Sequence, residues 1–203
     1  MLSQSWRLGK KQNPANRLYA ALRKRVNQRL IGWLARHALS GNGKYVLEAG
    51  CGTAEGAHFL GSRPEVELSV ALDLDHEALK VAKQRSPRAC LVQGDLFRLP
   101  FKPGMFDLVW NSSTIEHIHD KRRVIHEMVH ATKSGGKIFI GVPYASGPLF
   151  FQKWIAFSAV GKWIGHLFDQ SALAVDIEGI GLELEEFTTY FFRMFLGCLA
   201  RKQ

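Results

Sequence analysis

No Asp or Glu occurs in the first 44 residues of this 203-residue chain, although ten of its 27 Lys and Arg residues lie there. The other 17 bases face 18 acids, so the net charge of +9 belongs to the N-terminal arm. Such an arm suits nucleic acid, an anionic lipid surface or an acidic substrate, or simply forms a solvated helix face. Cysteine is scarce. Cys51, Cys90 and Cys198 stand far apart without a CxxC pair, which argues against a disulfide framework or a zinc knuckle and points to a reducing cytoplasm. The basic N-terminus lacks the apolar core of a signal peptide. There is no fixed-period repeat, which removes solenoids and propellers. Even the aromatic-rich stretch 144–168 is broken by Lys153, Lys162 and His166, which argues against a transmembrane span.

What remains is the composition of an ordinary globular protein, 46% hydrophobic and 22% charged, long enough for one domain over 1–203. Leu18, Ala21, Leu22, Val26, Leu30, Trp33, Leu34 and His37 recur at helical spacing, so residues 14–39 read as a helix within a basic arm, 1–43. Gly41-Asn42-Gly43 stops it. Then the chain alternates. Strands are expected at 45–49, 67–72, 89–92, 106–110 and 137–142, with helices at 54–61, 76–85 and 119–132. This rhythm predicts a parallel sheet covered on both faces. A helix at 170–179 and two strands, 182–189 and 191–200, read as a terminal hairpin. The turn between those strands has no Gly, Asn or Pro to fix its boundaries.

The richest segment is YVLEAGCGTAEG, Tyr45 to Gly56. An apolar strand ends in an acid and runs into a glycine turn, as in loops that let a nucleotide-like ligand approach the backbone. Hydride transfer with a dinucleotide and methyl transfer from a sulfonium nucleoside both use this shape. A dinucleotide needs its pyrophosphate at the helix start, usually with GxGxxG. Here Gly50 and Gly52 are followed by Glu55, which faces a pyrophosphate poorly, and no Tyr-x-x-x-Lys pair exists. Glu48 can sit near a cationic ligand and order the loop. Asp73, ending the second strand, can accept from ribose hydroxyls. Asp95, after the third strand, can accept from an adenine amino group, with Leu74 and Leu96 on the ring faces.

Together with FDLVWNSSTIEHI and ATKSGGKIFIGVP, these segments resemble the class I S-adenosylmethionine-dependent methyltransferases, in the small-molecule, type 11-like branch. The resemblance covers roughly Lys44 to Pro143. It implies an α/β, Rossmann-like, seven-stranded and mostly parallel sheet of order 3-2-1-4-5-7-6 with strand 7 antiparallel. It further implies a cofactor-binding core at 44–143 and S-adenosylmethionine as cofactor. Glu48, Gly50, Cys51 and Gly52 would line its methionine and ribose part, Asp73 and Leu74 would hold ribose and adenine, and Asp95 and Leu96 would flank adenine. Asn111, just past strand four, would help close the site. Ala54 departs from the family, which usually has a third glycine there. Alanine suits the place if the residue is already helical.

His126-Glu127-Met128-Val129-His130 matches HExxH, but no acid occurs between Glu127 and Asp169 and no third ligand stands at a zinc-enzyme spacing. No metal is expected. Glu116-His117-Ile118-His119 follows strand four, where sites form in such sheets. His117 is the candidate general base or substrate contact, against a role in bracing the next helix. The aromatic segment 144–168 reads as a substrate cover for an apolar small-molecule acceptor or as a membrane-surface contact. The expected reaction is therefore methyl transfer to a small apolar acceptor. The alternatives are an RNA or protein methyltransferase using the basic arm, and a non-catalytic cofactor-binding or scaffold protein.

Overall fold

The computed structural model describes residues 28–148 and 165–203. Most of the basic arm, including the expected helix start at 14–27, and most of the aromatic segment lie outside these residues. The chain divides into two compact units, one through Leu96 and one from Phe97. Its seven strands follow the order β3-β2-β1-β4-β5-β7-β6. The antiparallel β7 completes the expected topology.

In the first unit, α1 (28–38 among the described residues) buries Leu30, Ile31, Leu34, Ala35 and Ala38, one face at helical spacing. The strands β1 (Lys44–Ala49), β2 (Val66–Asp73) and β3 (Cys90–Gln93) are parallel, with Leu47 opposite Val70 and Leu72 opposite Val92. Their continuous apolar runs fit strands covered on both faces. Between them run α2 (Glu55–Leu60) and α3 (His76–Arg85). Asp75 caps α3 by accepting from the N–H groups of Glu77 and Ala78, so its start is encoded locally. Gly61 closes α2 where a Cβ would fall 2.5 Å from the Arg88 carbonyl oxygen. That approach admits only glycine.

The second unit contains β4 (Phe106–Ser112), a 3-10 turn (Ile115–His117), α4 (Lys121–Ala131), β5 (Thr132–Pro143), α5 (Gln170–Ile177), β6 (Leu182–Tyr190) and β7 (Phe195–Lys202). Two boundaries differ most from the sequence reading. β5 starts at Thr132 rather than 137, because Phe106 pairs with Thr132 and Leu108 with Lys137, so the glycines form an irregularity within the strand. A Cβ on Gly136 would meet Thr132 Cγ2 at 2.8 Å. The hairpin turn is longer than expected, with Phe191, Phe192 and Arg193 all left-handed (φ 52°, 54° and 62°). Tyr190–Phe195 ring stacking and a bond from Tyr144 N–H to the Met194 carbonyl hold this turn, and neither is visible as turn composition.

The neck of the 144–168 segment is closed by a parallel bridge between Tyr144 and Phe168, with Phe168 buried. No described helix is long and apolar enough to cross a membrane.

Candidate functional site

In the first unit, β1 delivers Glu48 to the start of α2. Glu48 is 9% exposed, and its Oε2 accepts from the Ala57 N–H at 2.6 Å. Ala54, the N-cap of α2, offers no side-chain cap. Glu48 therefore satisfies an otherwise orphaned helix-start donor from a distant strand, and it orders the loop as the sequence suggested.

The turn itself is left-handed at Gly50 (φ 81°) and Gly52 (φ 53°). The Gly50 and Cys51 N–H groups both donate to the Leu72 carbonyl at 2.8 and 3.0 Å. Nothing lies within 4 Å of the place a Gly52 Cβ would occupy, so the backbone there is open to a ligand. Ala54 is also left-handed (φ 55°, ψ 27°). This corrects the idea that it is already helical, and the family's glycine at this place has a direct conformational reason.

Asp73 crosses from β2 to fix the turn. Its Oδ2 accepts from Gly52 N–H at 2.6 Å and its Oδ1 from Asp75 N–H at 2.9 Å. Each carboxylate oxygen has a second lone pair, so ribose hydroxyls can still be accepted. Leu74 is 47% exposed, an apolar face that suits an aromatic base. Asp95 is exposed and Leu96 half-buried, following the bond from Gly94 N–H to the Asp73 carbonyl. Cys51 is buried, and burial, with the charges of Glu48 and Asp73, pushes its thiol far up. It stays protonated and is a packing residue, not a nucleophile.

In the second unit, Asn111 lies inside β4, not beyond it. It is fully buried opposite Ile140. The strand continues because Ser112 still pairs with Gly141. Ser112 Oγ and the Tyr190 hydroxyl share a hydrogen bond of 2.8 Å. The hydroxyl reaches across β5 because Gly141 has no Cβ there. One would overlap the Tyr190 oxygen and lie 3.2 Å from Ser112 Oγ. Burial raises the Tyr190 phenol, with the nearby Glu116 adding to the rise against the Ser112 bond.

His117 lies in the 3-10 turn, its Nε2 3.9 Å from Glu116 Oε1. Burial, then His166, lowers its basicity. Glu116, which the sequence showed only as the neighbour of His117, is 2% exposed. Its Oε2 has no hydrogen-bond partner among the described residues, and burial pushes the carboxyl up to about 8. An acid between Ile115 and Ile118 was the available signal, but the direction in which the turn aims it was not. Glu127 of the HExxH match accepts from the Leu99 N–H at 2.9 Å, a structural role. No group of three potential metal ligands occurs among the described residues.

This topology, with a glycine turn after the first strand and an acid ending the second, defines a Rossmann-like domain of the nucleoside-binding class. Residues 47–140 match the family model described as a methyltransferase domain. The chain is 29% identical over 127 residues to a malonyl-[acyl-carrier protein] O-methyltransferase of Erwinia pyrifoliae, covering 59% of this chain and 44% of that protein. It is 33% identical over 101 residues to a demethylmenaquinone methyltransferase of Renibacterium salmoninarum, covering 48% and 40%. The fold matches the magnesium protoporphyrin IX methyltransferase of Synechocystis, solved with bound SAH. The TM-score is 0.74 at 16% identity, over 98% of this chain and 93% of that one. Over residues 47–140 the chain is similar to the class I S-adenosylmethionine-dependent methyltransferases. It spans less than half the length of the curated relatives it matches.

Proposed function

We propose that this chain transfers a methyl group from S-adenosylmethionine to a small, largely apolar acceptor by in-line attack on the sulfonium methyl. The observation that carries this reading is the turn after β1. There Gly50 and Gly52 are left-handed, the space over Gly52 is open, and Asp73 holds the turn while keeping lone pairs free. These residues fit a nucleoside sulfonium. Asp73 would take the ribose, Leu74 and Leu96 the adenine faces and Asp95 its amino group, while Gly50, Cys51 and Gly52 would line the methionine end. Glu48 would act by holding the loop and α2 in place.

Bound S-adenosylmethionine supplies a methyl group whose leaving group is already activated by positive charge. The chain's contribution is then orientation and exclusion of water. The acceptors named for the relatives, malonyl-[acyl-carrier protein] and demethylmenaquinone, support a small-molecule or carrier-borne acceptor. The aromatic segment 144–168 would cover it. As part of the same proposal, the acid-free arm contacts an anionic surface or nucleic acid. The three free thiols favour a reducing, cytoplasmic setting, with membrane association through that arm.

Calorimetry tests the reading. The wild-type chain binds S-adenosylmethionine, and Asp73→Ala weakens binding at least about tenfold, or about 1.4 kcal/mol, with circular dichroism confirming that it folds. No binding by wild type, or equal binding by the variant, would sink the proposal.

A further inference from the structure

We propose that Glu116 takes the acceptor's proton, and that the acceptor presents a neutral, weakly acidic hydroxyl, phenolic or enolic, to the cluster of Ser112, Glu116 and Tyr190. This rests on the chain being a methyltransferase, and it adds the acceptor's chemistry and the residue that handles it.

Three observations carry it. The first is the orphan oxygen. A carboxyl as buried as Glu116 normally has its hydrogen bonds satisfied, yet its Oε2 has no partner among the described residues. The second is that the cluster is built. Gly141 leaves out a Cβ so that the Tyr190 hydroxyl can meet Ser112 Oγ. The third is strain. Five described residues other than glycine have left-handed φ. One is Ala54 in the glycine turn. The other four, Ser113, Phe191, Phe192 and Arg193, directly follow Ser112 and Tyr190. Left-handed side-chain-bearing residues persist where the structure enforces them, and they gather at functional sites.

The surroundings select the ligand. Among the described residues, the titratable groups near Glu116 are His117 on its own turn, His166 through its backbone bond to the Glu116 carbonyl, and Tyr190. None supplies a fixed positive charge, and burial is what raises the carboxyl. The same burial disfavours a charged acceptor. The rings of Tyr190, Phe191 and Phe195 pack at the hairpin turn, and Phe192 is 69% exposed, which suits a flat, unsaturated acceptor. Over Glu116 lie the exposed Gly165 and His166. His166 N–H bonds the Glu116 carbonyl at a long 3.3 Å, and a Cβ on Gly165 would stand 3.1 Å from Glu116 Cγ.

In the step, Glu116 Oε2 takes the hydroxyl proton. The oxygen–hydrogen bond breaks with its electron pair left on the acceptor oxygen, which would then be the nucleophile of the proposed methyl transfer. A carboxyl raised to about 8 lies about two units below a phenol, much nearer than an ordinary carboxylate, so proton transfer is less uphill.

The first test needs no cofactor. Carbon-13 NMR of glutamate-labelled protein is titrated from about pH 5 to 10, with and without phenol, and Glu116 is assigned by comparison with E116Q. The expected result is a carboxyl signal that titrates near 8 and moves saturably with phenol. The second test is methyl transfer to phenol and 2-naphthol. Below the Glu116 midpoint kcat/KM rises about tenfold per pH unit and then levels. E116Q loses this limb and at least about 100-fold in rate, E116D recovers part of it, and affinity for S-adenosylmethionine is unchanged. A Glu116 signal indifferent to phenol, an unchanged E116Q profile, or no transfer to any phenol or enol by protein that binds the methyl donor overturns the inference. Failure to bind the donor instead overturns the methyltransferase reading, and the phenol titration still decides the role of Glu116.

Discussion

Replacing Glu116 with Gln should change how stability depends on pH, whatever the acceptor is. The folded carboxyl is raised from 4.5 to about 8 by burial. Between these values the folded chain holds a proton that the unfolded chain has released. Stability from this group is therefore fully present below the unfolded value and is lost as pH rises through the folded one. From about pH 6 to 9 the folded chain holds this one extra proton over about two pH units, which at about 1.36 kcal/mol per unit is about 2–3 kcal/mol. For a domain of this size that is about 5–10 °C in Tm. Gln keeps the neutral shape and cannot ionise. Denaturant unfolding of both proteins at several pH values should show wild-type stability falling by about 2–3 kcal/mol relative to E116Q across this interval. Parallel curves would show that Glu116 ionises freely in the folded chain and would refute the argument.

Two further perturbations examine the glycine turn. Glu48→Ala strips the Ala57 N–H of a buried charged acceptor, at a cost of about 1.5–3 kcal/mol, whereas Glu48→Gln keeps an acceptor oxygen and costs less than half of that; thermal unfolding that ranks the two equally would show that the bond contributes nothing particular. At Ala54, Gly relieves about 1–2 kcal/mol of left-handed strain but loses a buried methyl of about 0.8 kcal/mol and gains chain entropy of about 0.5–1 kcal/mol. Ala54→Gly is thus expected within about 1 kcal/mol of wild type. Ala54→Val should lose more than about 2 kcal/mol, since a β-branched residue is a left-handed outlier and the position is fully buried. A tolerated Val would mean that the turn is not held left-handed in solution.

These predictions separate what could be read locally from what could not. The helix α3 was legible to its ends because Asp75 carries its own cap. β1 and β2 were legible because parallel strands covered on both faces need unbroken apolar runs. The sheet order came from the family resemblance, since no local pattern states which strands adjoin. What escaped depends on distant groups. Ala54 resembles a helical alanine in sequence, and its left-handed turn emerges only once Asp73 holds Gly52 and Glu48 holds Ala57. The hairpin turn uses Phe191, Phe192 and Arg193, residues without turn propensity, because the Tyr190–Phe195 stack and the Tyr144–Met194 bond overrule it. In Glu-His after β4, sequence favoured the histidine, whose ordinary pKa lies near neutrality. Burial reverses the preference: it lowers the basicity of His117 and raises that of Glu116, which is why the carboxyl, not the imidazole, is the proposed proton acceptor.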